Sequence, residues 1–509
     1  MMPEGEDMLE KGQRDAIELK STPSATSRFL RWPVRLLRPL RPACMGRTSA
    51  ATRKPLRRTA YLDGIRGFAA LMVYFLHHQL WAHEAQQAEA KLESAWGYRG
   101  QYYLACFPVL RNFFTGGHYA VAVFFVLSGY VLSTRPLALI HSGDDSQLLN
   151  NLSSALFRRW LRLYLPILCT CFIVLLFWHV FGILANYMPQ KNFAAEMWNY
   201  YVEFKKYSLV WNTGGPMWFA YNPHTWSIPI EFKGSVVVYT ALMAFARCTR
   251  TARLRCEVGL IFYFLYIADG AYFALFVGGM LLCDLDLLAM KDELPTWITR
   301  FRSSGPIIFH ILFVISIFLG GVPSYDRDID SLRDSPGWYY LSFLKPQAVF
   351  DYKWFYNFWA AMFLVTAAAR LPWLKHFFET RFCQYLGRIS YMFYLVHGPI
   401  MTTLGDRLYA ATGMSRDGHA MGVPGWTNRM PLPRNGPFGL EIAYLVPHLI
   451  LLPLTLWVAE VTTALIDDPS VKFCGWLYKR TISTPRAFAV PMDASSEAAE
   501  LDNGGRSTR

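Results

Sequence analysis

The amino-acid sequence predicts an all-α, polytopic membrane protein with about ten transmembrane helices and both termini on the cytosolic side. Three observations predict it. Charged residues are 17% of the 509 residues, against roughly 25% in soluble domains. Apolar residues are 53% of the chain and gather into blocks of about 20, the length that crosses the hydrocarbon core. The loops between blocks also alternate in charge, which orients them.

The blocks lie at 66–82, 117–134, 163–185, 226–246, 257–269, 271–289, 305–321, 354–370, 389–405 and 441–464, the fifth being the shortest. The loops at 135–162, 247–256, 290–304 and 370–388 are short and rich in Arg and Lys, as in Arg158, Arg159 and Arg162. The opposite loops are longer and mix both signs, as in Asp326-Arg-Asp-Ile-Asp330. Basic loops stay cytosolic, so the first block enters from the cytosol. The net charge of +13 reads the same way, as basic loops beside anionic lipid rather than a nucleic-acid surface. No internal repeat suggests the paired halves of a transporter.

The chain divides into a basic, disordered N-terminal region at 1–59, a transmembrane domain at 60–470 and a mostly disordered cytosolic tail at 471–509. Within the first region, the stretch from Arg28 to Arg41 interleaves basic and apolar residues, which suits an anionic membrane surface as well as a solvated tail. The nine cysteines form no disulfide framework, because only Cys106 falls on the lumenal side and has no partner there. The sequon Asn151-Leu-Ser153 falls on the cytosolic side and should stay unmodified.

The first block reads Tyr61-Leu-Asp-Gly-Ile-Arg-Gly-Phe-Ala-Ala-Leu-Met-Val-Tyr-Phe-Leu-His-His78. Arg66 sits at its cytosolic mouth. His77 lies eleven residues on, about 16 Å along a helix, near mid-membrane. An ionisable group at that depth needs a partner or a task, and a neutral imidazole is a general base near neutral pH. A lone membrane histidine more often packs or hydrogen-bonds. His78 points about 100° away, so the two are not expected to share one role.

The second block ends Phe124-Phe-Val-Leu-Ser-Gly-Tyr130. Gly129 suits close helix packing, and Ser128 could donate a hydrogen bond to substrate. The third block is preceded by Arg158, Arg159 and Arg162. Arg159 and Arg162 share a helix face, and paired guanidiniums grip phosphates bidentately; ordinary basic anchoring explains them as well. The fourth block opens Pro223-His-Thr-Trp-Ser-Ile-Pro-Ile-Glu-Phe232. A carboxylate inside an apolar helix demands an Arg, a His or its own proton, so Glu231 is a candidate to orient an imidazole. Trp226 offers an apolar face or a membrane-belt anchor. The ninth block, Leu386-Gly-Arg-Ile-Ser-Tyr-Met-Phe-Tyr-Leu-Val-His397, adds Arg388 at the cytosolic entrance and His397 within the apolar run. No cluster of His, Asp and Glu has ligand spacing, so no metal is implied.

Five of these segments, in order, carry a resemblance: Leu62-Asp-Gly-Ile-Arg-Gly-Phe-Ala-Ala with His77, Phe125-Val-Leu-Ser-Gly-Tyr, Arg159-x-x-Arg162, Trp226-Ser-Ile-x-x-Glu231 and Leu386-Gly-Arg-Ile-Ser-Tyr-x-x-Tyr-Leu-x-His397. The sequence resembles the membrane-bound acyltransferase 3 family, most of all its fungal-type O-acyltransferases, over about residues 60 to 465. The resemblance implies ten core helices and transfer of an acyl group, often acetyl, from acyl-CoA to a hydroxyl of a sugar, glycan, lipid or small natural product. It implies acyl-CoA as co-substrate with no bound cofactor, His77 as base, and Arg159 and Arg162 in handling the donor. Glu231 and His397 match further family positions. Two departures stand out: the second histidine at 78, and a late Asp467-Asp-Pro469 in place of the family's Glu-x-Pro.

The combined expectation is a multi-pass enzyme of the endomembranes or plasma membrane. Arg158, Arg159 and Arg162, with Arg66 and Arg388 at the entrance, hold the phosphates of acyl-CoA. His77 or His78 deprotonates the acceptor, and Glu231 orients a polar partner. Ser128, Trp226 and His397 line the substrate. A small-metabolite permease is the alternative, since polar residues in helices suit it equally.

Overall fold

The computed structural model describes residues 56–83, 97–98, 101–102, 106–185, 187–211, 217–300, 305–324, 327–414, 423–435 and 441–482. The basic stretch from Arg28 to Arg41, Cys44, Asp326 and the chain after residue 482 lie outside these. The longer helices are α1 (Ala60–His83), α2 (Gly117–Ser142), α3 (Asp145–Phe181), α4 (Phe193–Ser208), α5 (Ser227–Phe245), α6 (Arg250–Phe262), α7 (Ala271–Met290), α8 (Gly305–Gly320), α9 (Tyr352–Arg370), α10 (Arg381–Ile400), α11 (His448–Thr462) and α12 (Asp468–Thr481). A two-residue hairpin, Gly97–Tyr98 against Gln101–Tyr102, is the sheet structure among the described residues. The expected tail boundary at residue 470 falls inside α12.

Each of the ten apolar blocks falls on a helix. Among the described residues, five segments are both long and apolar enough to cross a membrane: Gly117–Ser142, Asp145–Phe181, Pro223–Phe245, Ala271–Met290 and Ile442–Thr481. The expected ten spans are therefore matched in part. The shortfall has a physical reason. α1, α9 and α10 are long enough, but they carry polar side chains such as Asp63, Arg66, His77 and His78 on α1, and Gln384, Arg388 and His397 on α10. α8 is apolar but only 16 residues long. α3 is 37 residues, about 55 Å, so it outruns a hydrocarbon core of about 30 Å and carries its arginines beyond the apolar part.

Two close helix crossings set the framework of the site. At the first, a Cβ on Gly67 would overlap the backbone nitrogen of Gly387, and one on Gly387 would overlap the carbonyl of Asp63. These are the glycines of the Asp-Gly-Ile-Arg-Gly and Leu-Gly-Arg segments, and the absent side chains let α1 and α10 touch backbone to backbone. His77 lies ten residues after Gly67, and His397 ten residues after Gly387. One crossing therefore brings both histidines to the same level. At the second, a Cβ on Gly129 would overlap the carbonyl of Phe276, and one on Gly279 the carbonyl of Val126. The packing role expected of Gly129 is what α2 and α7 use.

A side chain that meets backbone cannot be relieved by a rotamer change, so the helices must part. Gly129→Ala and Gly279→Ala should each cost about 1–3 kcal/mol, read as a lower thermal midpoint of the detergent-extracted protein. An unchanged midpoint in both would contradict the crossing.

Candidate active site

α1 reaches the site with its N-terminal end pinned. Arg66 donates from Nε to Ser390 Oγ at 3.0 Å and from its NH2 group to the Gly387 carbonyl at 2.9 Å, and it pairs with Asp63 at 3.1 Å. The guanidinium is thus committed to the α1–α10 contact. Arg66 is absent from the lining of the arginine cavity, where it was expected to meet a donor.

About three turns further along α1, His77 Nδ1 lies 2.7 Å from His397 Nε2. The two rings are nearly parallel, 4° apart, with centroids at 5.0 Å. A third imidazole, His224, stands edge-on to both, 4.5 Å from His77 and 5.4 Å from His397. His224 belongs to a short 3-10 turn, Pro223–Trp226, leading into α5. It is held there by Tyr394, whose hydroxyl reaches the His224 carbonyl and lies 2.8 Å from Ser227 Oγ. Asn222 adds a bond from Nδ2 to the Leu395 carbonyl at 2.9 Å. Gly398 permits the close approach, since a Cβ there would collide with the ring of His224.

His78 goes elsewhere. It is fully buried, its Nδ1 lies 2.8 Å from the Tyr409 hydroxyl, and it packs among Tyr74, Tyr409 and His448. The neighbouring histidines therefore occupy separate surroundings, and the imidazole cluster contains His77.

Toward the other end, the arginines of α3 border a cavity of about 230 Å³ lined by Arg135, Asn151, Arg158, Arg159, Arg162 and Tyr239, with Val471 and Cys474 of α12 among the rest. Arg159 is anchored at its inner edge. It donates to Ser235 Oγ at 2.8 Å and Ser128 Oγ at 3.1 Å, and forms an ion pair with Glu231. Ser128 also donates to Glu231. Glu231, expected to orient an imidazole, instead accepts from Arg159 and Ser128, because α3 and α2 converge on α5 where it emerges. Ser128, expected to meet substrate, is likewise engaged by this pair. Arg158 donates to the Ser154 carbonyl at 3.0 Å and lies over the ring of Tyr478, 6.0 Å away.

Two expected residues lie apart. Arg388 pairs with Glu460 of α11 at 3.0 Å and keeps a side chain 58% exposed. Trp226 packs in an aromatic group with Trp218, Tyr272 and Trp354. Neither lines the arginine cavity.

α10 connects the two ends. Tyr391 donates to the carbonyl of Leu163, the neighbour of Arg162, at 2.5 Å. His397 is six residues further along α10, about 9 Å by helical rise. The arginine cavity and a second cavity of about 490 Å³, bordered by Phe177, Trp178, Leu404 and Arg407, are lined by neither His77 nor His397.

Sequence reasoning missed His224, Asn222 and Arg135. The polar run Asn222-Pro-His224, immediately ahead of an apolar block that already held Trp226 and Glu231, was the available signal. The eight described cysteines are free, and no group of three or more His, Cys, Asp and Glu among the described residues is arranged to hold a metal.

Comparison with known proteins bears on the chemistry this arrangement serves. The family model Acyl_transf_3, described as an acyltransferase domain, matches residues 59–459. The chain is similar to O-acetyltransferase PaAT-1 of Phomopsis amygdali, at 29% identity over 469 residues, covering 85% of this chain and 87% of that protein. No solved structure matches it. With a family model spanning most of its helices, this chain belongs to the acyltransferase 3 family.

Proposed function

We propose that this protein is a membrane O-acyltransferase that moves an acyl group, acetyl foremost, from acyl-CoA to a hydroxyl of a small molecule, natural product or glycan. The observation that carries the reading is the pairing of His77 with His397, inside a helical core, on the same helix whose Tyr391 bonds to Leu163 beside a cavity lined by four arginines. Family membership and the similarity to an O-acetyltransferase support the reaction class.

In this reading the coenzyme enters at the arginine cavity. Arg158 and Arg162, joined by Arg135, meet its phosphates, as forked guanidiniums do. Arg159 contributes less directly, because Glu231 already occupies it, and the pair braces the inner wall. The pantetheine arm passes Tyr391 toward the histidines. His77 takes the proton of the acceptor hydroxyl as the oxygen attacks the thioester carbonyl. The tetrahedral intermediate collapses with cleavage of the carbon–sulfur bond. The thiolate leaves with the proton from His77, so the products are an ester and free CoA. His78, bonded to Tyr409, serves the fold. The topology proposed with this mechanism keeps ten spans and cytosolic termini, with the arginine cavity facing the cytosol where acyl-CoA is made available.

Membranes containing the protein, supplied with acetyl-CoA and a panel of hydroxyl acceptors, should release CoA thiol with at least one acceptor and form the matching ester. Movement of acceptor across the membrane without CoA release would favour a permease instead.

A further inference from the structure

We infer that His397 is a positioning residue, resting on the reading of His77 as base: it fixes which nitrogen of His77 is free to take the acceptor's proton. His397 lies at the C-terminal end of α10 and is 1% exposed. Nε2 of its ring faces His77 Nδ1 at 2.7 Å, so one of these two nitrogens carries the hydrogen they share. With His77 as base, that hydrogen sits on His77 Nδ1 and His397 Nε2 accepts it. The lone pair of His77 then lies on Nε2, an atom for which no described residue supplies a hydrogen bond. When His77 Nε2 takes a proton, the Nδ1–H to His397 bond stays in place, and the imidazolium remains held in the same ring plane. This is the task a carboxylate performs in a Ser-His-Asp triad, done here by a second imidazole carried on α10. It differs from contact with the donor, because His397 turns its acceptor nitrogen to His77.

The two amide replacements separate this role from bulk. Glutamine places its amide where Nε2 stood, so its carbonyl oxygen can accept from His77 Nδ1. Asparagine places its amide at the Nδ1 position and falls short of His77. The experiment measures kcat and both KM values for His397→Gln, His397→Asn and His397→Leu in detergent-purified protein matched for melting midpoint, with His77→Ala alongside. Loss of an orienting partner in a triad costs up to about 10,000-fold; for a neutral imidazole, about 100- to 1,000-fold in kcat is expected for Asn and Leu. KM for acyl-CoA should hold within about 3-fold, and Gln should recover kcat to within about 10-fold of wild type. Equal impairment of Gln and Asn would overturn the inference, as would wild-type kcat in the Leu variant. A raised KM for acyl-CoA with kcat kept would also overturn it, by returning His397 to donor binding. If His77→Ala kept full activity, the base reading itself would fall; if His77→Ala were inactive and His397→Leu active, only the positioning role would.

Discussion

Replacing His77 with alanine should abolish acyl transfer while leaving a folded, membrane-inserted protein. General-base contributions run at about 100- to 10,000-fold, so the residual rate should fall into that range below wild type or beneath detection. The fold should survive for a stated reason. α1 is fastened by the Gly67–Gly387 crossing and by Arg66 on Ser390 and Gly387, ten and eleven residues before His77. His78 cannot substitute, since Tyr409 holds its Nδ1 and its ring lies among Tyr74 and His448. His78→Asn should therefore lower stability through its buried contacts and leave the pH dependence of the remaining activity unchanged. Turnover assays on both variants, with gel filtration as the folding control, check this pair of outcomes.

The second large effect is expected at Arg159 and Glu231. Their side chains are 13% and 16% exposed, and they are joined as an ion pair reinforced by Ser128. Breaking a buried pair by removing one partner costs about 3–5 kcal/mol, because the other charge is stranded, whereas replacing both with apolar residues is often neutral. Arg159→Leu and Glu231→Leu should each sharply reduce the yield of folded protein. The double variant should recover folding, with a coupling energy of at least about 1 kcal/mol in the cycle. Activity should not return with it, since the inner wall of the arginine cavity has lost a cation. Arg162→Ala, in contrast, removes a cavity side chain outside this pair. It should raise KM for acyl-CoA about 10- to 100-fold with little change in kcat, as lost phosphate contacts do. Additive effects of the two Leu substitutions would show that the pair is not coupled.

The helices were legible because each apolar block is a continuous run that only a buried or membrane-spanning helix explains. Which blocks qualify as spans was less legible, since the helices that carry the site, α1 and α10, dilute their own hydropathy with the polar residues they deliver. The motif glycines could be read as packing positions, but nothing in one sequence says that Gly67 meets Gly387, because that is a contact across 320 residues of chain. The same limit hid the partner of Glu231. A buried carboxylate announces that it needs a cation or an imidazole, yet the choice between His77 and Arg159 depends on how α3 and α5 pack. His224 escaped notice because a single histidine at the edge of an apolar block looks like an interface residue until a helix crossing places it against two others. The separation of His77 from His78 was expected from their 100° offset, but their separate surroundings appear only when α10 supplies His397 on one side and Tyr409 and His448 close the other.

The account stands on the coenzyme lying between the α3 arginines and His77. An experimental structure of the protein with acetyl-CoA bound tests that directly. The phosphates should lie against Arg158 and Arg162, and the thioester carbon should approach to within reacting distance of an acceptor held by His77, about 3–3.5 Å between reacting atoms. A coenzyme bound elsewhere, or one whose arm turns away from α10 at Tyr391, would contradict the account.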